Sequence, residues 1–125
     1  MKGYMQTVSY GEGDLEFEES EGKIPKIVEL SEITSLLTKS QKEKIFSGCD
    51  AKNLAKIFED SSMMVTINAF LANGMNMAKT ARSLYMHRNT LLYRLNTIRR
   101  LTGLDLRDFK MAVTFEILHS LYLIK

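Results

Sequence analysis

Between residues 87 and 100 the chain concentrates side chains that could grip a polyanion and read hydrogen-bonding edges: His87, Arg88, Asn89, Thr90, Tyr93, Arg94, Thr97 and Arg100. On a helix that turns Leu91, Leu95 and Ile98 inward at i, i+4, i+7, the outward face carries Asn89, Thr90, Tyr93, Asn96, Thr97 and Arg100. Arg88 and Arg94 then fall at its edges. No carboxylate occurs over 88–101. An ordinary solvated helix mixes Glu with Lys for support between successive turns, so an acid-free face of guanidinium, amide and hydroxyl groups points to phosphate oxygens and base edges. Arg can pair bidentately with guanine and Asn with adenine. Arg88 and Asn89, at the N-terminal end of the helix, are the leading contacts, and for Arg88 a phosphate clamp is at least as good a reading as a base contact. Thr90 suits a thymine methyl or a phosphate. Tyr93 and Arg94 suit phosphate, with packing against the preceding helix as the alternative for Tyr93, and Thr97 and Arg100 are secondary.

Other reactive residue types lead nowhere comparable. His87 directly precedes the helix, where it suits a cap or a phosphate contact, and no second ligand lies at metal spacing. His119 stands alone on an apolar stretch and reads as a packing or interface residue. Cys49 is the single cysteine, which excludes an intramolecular disulfide, makes a Cys-rich zinc site implausible, and has no neighbouring His or acid pattern to make it a nucleophile. The eight methionines fit an adaptable core better than a ligand surface. No acid–base pair, metal cluster or nucleophile constellation is present, so neither an enzyme nor a cofactor or metal is expected.

The elements that must position residues 87–100 can be read from spacing. Asn76 is a good N-cap for a two-turn helix over about 77–84, with Ala78, Ala81 and Leu84 expected on its inner face. A short turn, Tyr85-Met86-His87, leads into the second helix, about 88–101, which Gly103 ends. A steep crossing through so short a turn needs a small residue, which Ala81 supplies. Leu84, Met86, Leu91, Leu95 and Ile98 complete the wedge that fixes the angle and lets the second helix project into a major groove.

The charge distribution agrees. Residues 1–60 hold 8 Lys/Arg against 12 Asp/Glu, whereas 61–125 hold 9 against 3, beneath a formal net charge of only +2. Such asymmetry points to a polyanionic partner on the basic side. With 45% apolar residues the 125-residue chain can bury a core, and with no signal sequence or membrane-length apolar run it is expected to be cytoplasmic, with no membrane partner.

The stretch Met86-His87-Arg88-Asn89-Thr90-Leu91, Tyr93-Arg94-Leu95, Ile98, and Leu101-Thr102-Gly103-Leu104-Asp105-Leu106 resembles the C-terminal helix-turn-helix of the PucR/CdaR family, bacterial transcriptional regulators of purine and sugar-diacid utilisation, with a Fis-like motif. The likeness is close over about 62–106 and looser on either side. It implies duplex DNA as the partner and an upstream sensory region that 125 residues cannot hold in full. Two departures stand out. Tyr85 occupies a turn position where many such motifs have Gly, so a left-handed conformation there would be strained. Lys79 stands where the family commonly has an acid, adding positive charge but losing a favourable helix-dipole contact.

The expected fold is mostly all-α: residues 1–24 a tail or short β-hairpin, 25–60 a helical extension, 61–125 the helix-turn-helix domain. In the extension, Pro25 starts a helix striped by Ile27, Leu30, Ile33 and Leu37. Ser40-Gln41-Lys42-Glu43 forms a capping box, Asp50 caps a helix to Phe58, and Ser61 or Ser62 caps the next. The last helix, from about Asp108 to Ile124, is apolar nearly all round and wants burial on most sides. Packing against 26–58, a second subunit in a homodimer, or a domain absent from this chain would supply it. The competing function is a helical protein–protein interaction or dimerisation module without direct DNA readout.

Overall fold

The computed structural model describes residues 9–10, 13–14 and 26–124. Strands β1 (Ser9–Tyr10) and β2 (Gly13–Asp14) pair antiparallel, Ser9 opposite Asp14. The rest of the expected tail or hairpin, and Pro25, lie outside the described residues. Seven helices follow: α1 (Leu30–Thr34), α2 (Lys39–Phe46), α3 (Ala51–Phe58), α4 (Ser61–Ala72), α5 (Met77–Ser83), α6 (Arg88–Thr102) and α7 (Phe109–Ile124). The fold from Leu30 onward is all-helical. None of these helices is long and apolar enough to cross a membrane.

Three of the expected helix starts are displaced, each for a local reason. The striped helix from Pro25 reduces to the single turn α1, and Ile27 and Ile33 of the supposed apolar stripe are exposed. After Thr34 the chain tightens, Leu36 and Leu37 donating to the carbonyls of Ile33 and Thr34, and extended backbone at Thr38 ends the run. Thr38 then caps α2 in place of Ser40. Its hydroxyl accepts from Gln41 N (3.1 Å) while Gln41 Oε1 accepts from Thr38 N (2.9 Å), the same reciprocal box two residues earlier. Helix α4 is capped by Asp60 rather than Ser61 or Ser62, the carboxylate accepting from Met63 N at 3.1 Å, where an acid also meets the positive end of the helix dipole. Asp50 caps α3 as its sequence suggests, accepting from Asn53 N.

The core lies where α3, α4, α6 and α7 converge: Leu54 and Ile57, Ile67 and Phe70, Leu91, Leu95 and Ile98, Phe115 and Leu118, closed below by Leu106. Phe58 meets Phe115 edge to face at 5.3 Å, and stacks obliquely on His119 and Tyr122. Met63, Met75, Met77 and Met86 fill the margins, as flexible thioethers can. Part of the apolar helix α7 is buried within the chain. It packs on α1 and α2 as well as on α3, and the Thr34 and Ser120 hydroxyls, both buried, meet at 2.8 Å. Phe109, Val113 and Leu123 stay exposed on its outer side.

Candidate nucleic-acid interface

The first helix of the motif is fixed at its start by Asn76, whose Oδ1 accepts from Lys79 N at 2.8 Å. The buried positions of α5 are Thr80 and Ala81, with Met77 and Leu84 half-buried beside them. The true stripe is therefore 77, 80, 81, 84, and Ala78, expected inside, is exposed. Thr80 can be buried because its hydroxyl donates to the Asn76 carbonyl at 2.7 Å, leaving only its methyl to pack. Ala81 sits at the crossing with α6, and its carbonyl accepts from Met86 N at 2.9 Å, closing the turn tightly. That closure forces Tyr85 to φ +52°, a left-handed conformation for a β-carbon-bearing residue, with the ring almost fully in solvent.

Helix α6 begins at His87, whose Nδ1 accepts from Asn89 N at 3.0 Å. An accepting Nδ1 leaves the ring proton on Nε2, directed away from the cap and free to donate. Gly103, at φ +82°, ends the helix in the left-handed conformation that glycine adopts without strain. Leu91, Leu95 and Ile98 are fully buried, and Met86 packs against them half-buried. The opposite side is open: Arg88, Asn89, Thr90, Tyr93, Asn96 and Arg100 are exposed, Tyr93 at 66%. Among the described residues no ion pair engages Arg88, Arg99 or Arg100.

Two of the expected contacts stand differently. Arg94 is half-buried and directed at α4, Nη1 donating to Thr66 Oγ1 at 2.7 Å and to the Ser62 carbonyl at 3.3 Å. Thr97 is half-buried, and its hydroxyl donates to the Tyr93 carbonyl at 2.9 Å. Both line an open groove of about 490 Å³ between α6 and the α3–α4 corner, together with Thr90, Tyr93 and, from that corner, Lys56 and Asp60. Sequence reading left Lys56 aside because it lies 30-odd residues before the motif, and only the packing of α3 on α6 brings it there. Asn53 performs that docking, donating to the Leu101 carbonyl at 2.8 Å, near the α6 C-terminus. Arg107 is held by Asp105 (3.1 Å), which keeps the Asp105 carboxyl below the usual carboxylate range, and it reaches toward Asn96.

A short capped helix, a tight turn and a second helix projecting an acid-free polar face are the parts of a helix-turn-helix, the DNA-binding unit of many transcriptional regulators. Residues 63–118 match the PucR C-terminal helix-turn-helix domain. Over that span the chain is similar to the helix-turn-helix of the PucR/CdaR transcriptional regulators. The chain is 31% identical over 80 residues to the purine catabolism regulatory protein of Bacillus subtilis, covering 64% of this chain and 15% of that protein. It is 48% identical over 44 residues to the carbohydrate diacid regulator of Escherichia coli, covering 35% and 11% respectively. An uncharacterized protein of Bacillus subtilis, YxkF, is 31% identical over 78 residues, covering 62% and 26%. The chain thus spans between 11% and 26% of the length of these relatives. No solved structure matches it significantly.

Proposed function

We infer that the chain reads duplex DNA sequence-specifically in bacterial transcriptional control, with α6 lying in the major groove. The observation that carries this is the open α6 face: Arg88, Asn89, Tyr93 and Arg100 exposed together, with no carboxylate on that helix. Arg88 and Asn89 reach base edges or the flanking phosphates at the groove-facing end, and His87 donates Nε2–H to a phosphate. Thr90, Tyr93, Thr97 and Lys56 follow the backbone along the groove beside α3. Arg94, tied to α4, sets how far α6 projects and contacts phosphate only through its outer edge. The relatives are named for purine catabolism and carbohydrate diacid regulation, which supports transcriptional control as the role here.

A homodimer belongs to the same reading. Two copies would set two α6 helices about 34 Å apart on a palindromic site, and the exposed apolar residues Leu36 and Leu123 support an additional contact surface. The family resemblance also supports an upstream sensory region in the same regulator. Selection of bound sites from a random duplex library tests the proposal. Enrichment of one motif, in two inverted half-sites for a dimer, is expected. Recovery of no motif above background would instead favour an interaction module, and single half-sites with a strict monomer in sedimentation would remove the dimer.

A further inference from the structure

An open apolar groove of about 510 Å³, to which α6 contributes no residue, is lined by the side chains of Leu30, Leu71, Met75, Phe109, Val113 and Glu116. Its walls come from α1, the end of α4 and the first two turns of α7. Five of these six side chains are apolar. The sixth is a carboxylate whose Oε1 is shielded from solvent and has no hydrogen-bond partner among the described residues. A shielded carboxylate oxygen without a donor is costly, because nothing replaces the hydrogen bonds that water gave it.

Among the described residues no cation relieves it. His119, one turn along α7, is the titratable neighbour that feels Glu116, but burial against Phe58 holds it below the usual histidine range and favours its neutral form. Neither of the two ion pairs among the described residues includes Glu116. Its surroundings are also unfinished on the apolar side. Phe109 is 69% exposed and Val113 38%, one turn apart on the same side of α7.

We propose that this groove docks a partner polypeptide segment whose apolar side chains cover Phe109 and Val113 and whose single Lys or Arg ion-pairs with Glu116. The complementarity is specific in sign. The basic α6 surface attracts anions, whereas this groove offers an anion inside an apolar frame, so the two faces select opposite partners. An apolar segment with a cation gains area from the frame and a charge-assisted hydrogen bond from Glu116, while an apolar segment without one leaves the carboxylate stranded. A polypeptide rather than a small amine is the fitting occupant, because Phe109 and Val113 extend the apolar surface one turn apart along α7, beyond the single point at which an ammonium group would anchor.

The test is selection of peptides from a random dodecapeptide library on the whole chain, keeping those lost on Val113→Asp. Val113 is partly exposed, so that variant is expected to fold, and circular dichroism with DNA binding serves as the control. The expected winners carry one Lys or Arg within an apolar stretch and bind Glu116→Gln about tenfold more weakly. Glu116→Lys should shift the selection to Asp or Glu at the same place. Winners without a basic residue, winners indifferent to Glu116→Gln, or no Val113-dependent winners at all would overturn the proposal. So would hexylammonium chloride binding as tightly as the peptides, which would make this a small-ligand site, or self-association lost with Val113→Asp, which would make the occupant a second copy. DNA binding is read separately on α6, so failure here leaves that reading untouched.

Discussion

Arg94 on α6 and Thr66 on α4 are joined by a hydrogen bond of 2.7 Å, and Thr66 is buried, so the guanidinium anchors α6 to the core from beneath its exposed face. A planar guanidinium can hold the Thr66 hydroxyl and the Ser62 carbonyl together, whereas an ammonium on a flexible stem holds neither in fixed geometry. Arg94→Ala should therefore cost about 1–2 kcal/mol of folding stability, and Arg94→Lys should recover little of it. In a double-mutant cycle with Thr66→Val the coupling should be about 1 kcal/mol. Denaturant unfolding measures all of this. A cycle with no coupling would mean that Arg94 serves only the solvent side.

Tyr85 closes the turn between α5 and α6 at φ +52°, with its ring making little use of the core. Left-handed backbone costs a β-carbon-bearing residue about 1–2 kcal/mol, and the extra freedom of glycine in the unfolded chain returns part of that. Tyr85→Gly should therefore stabilise the domain by about 0.5–1 kcal/mol, seen as a higher midpoint in thermal or urea unfolding with the slope unchanged. A lower midpoint would show that the exposed tyrosine packs in a way its exposure does not suggest.

His119 introduces a pH dependence whose sign follows from its environment. Burial against Phe58, the larger influence, disfavours the imidazolium, and Glu116 opposes it more weakly, so the folded pKa lies below the ordinary 6.5. The unfolded chain then takes up the proton first. Stability is complete above the ordinary histidine value, begins to fall as pH drops through it, and stops falling once the folded group is also protonated. His119→Phe keeps an aromatic ring against Phe58 and should flatten the stability–pH curve in this window. An unchanged curve would assign the dependence elsewhere.

The helix-turn-helix itself was legible because its information is local. Asn76 and Gly103 mark ends, Leu91, Leu95 and Ile98 recur at helical spacing, and the absence of acids over 88–101 needs no partner element to be seen. Where two local signals competed, reading failed by a residue or two. Thr38-x-x-Gln41 and Ser40-x-x-Glu43 both fit a capping box, and Ala78 looks as suitable as Thr80 for the inside of α5 until the Thr80 hydroxyl is seen to bond the Asn76 carbonyl. The contacts that fix orientation were out of reach. Arg94 with Thr66, Asn53 with the Leu101 carbonyl and Thr34 with Ser120 join positions far apart in the chain, and nothing in the composition of either partner announces the other. The packing of α7 on α1, α2 and α3 is likewise non-local.

The most direct measurement of the central claim is the salt dependence of duplex binding for the wild-type chain beside Arg88→Ala and Arg100→Ala. Phosphate contacts release counterions, so log K should fall linearly with log salt, losing at least about tenfold between 50 and 200 mM, and each substitution should reduce the slope by about 1. Both side chains are exposed, so the variants should unfold at the wild-type midpoint. Binding that ignores salt, or variants whose slope and affinity equal those of the wild type, would contradict the assignment of α6 to the DNA.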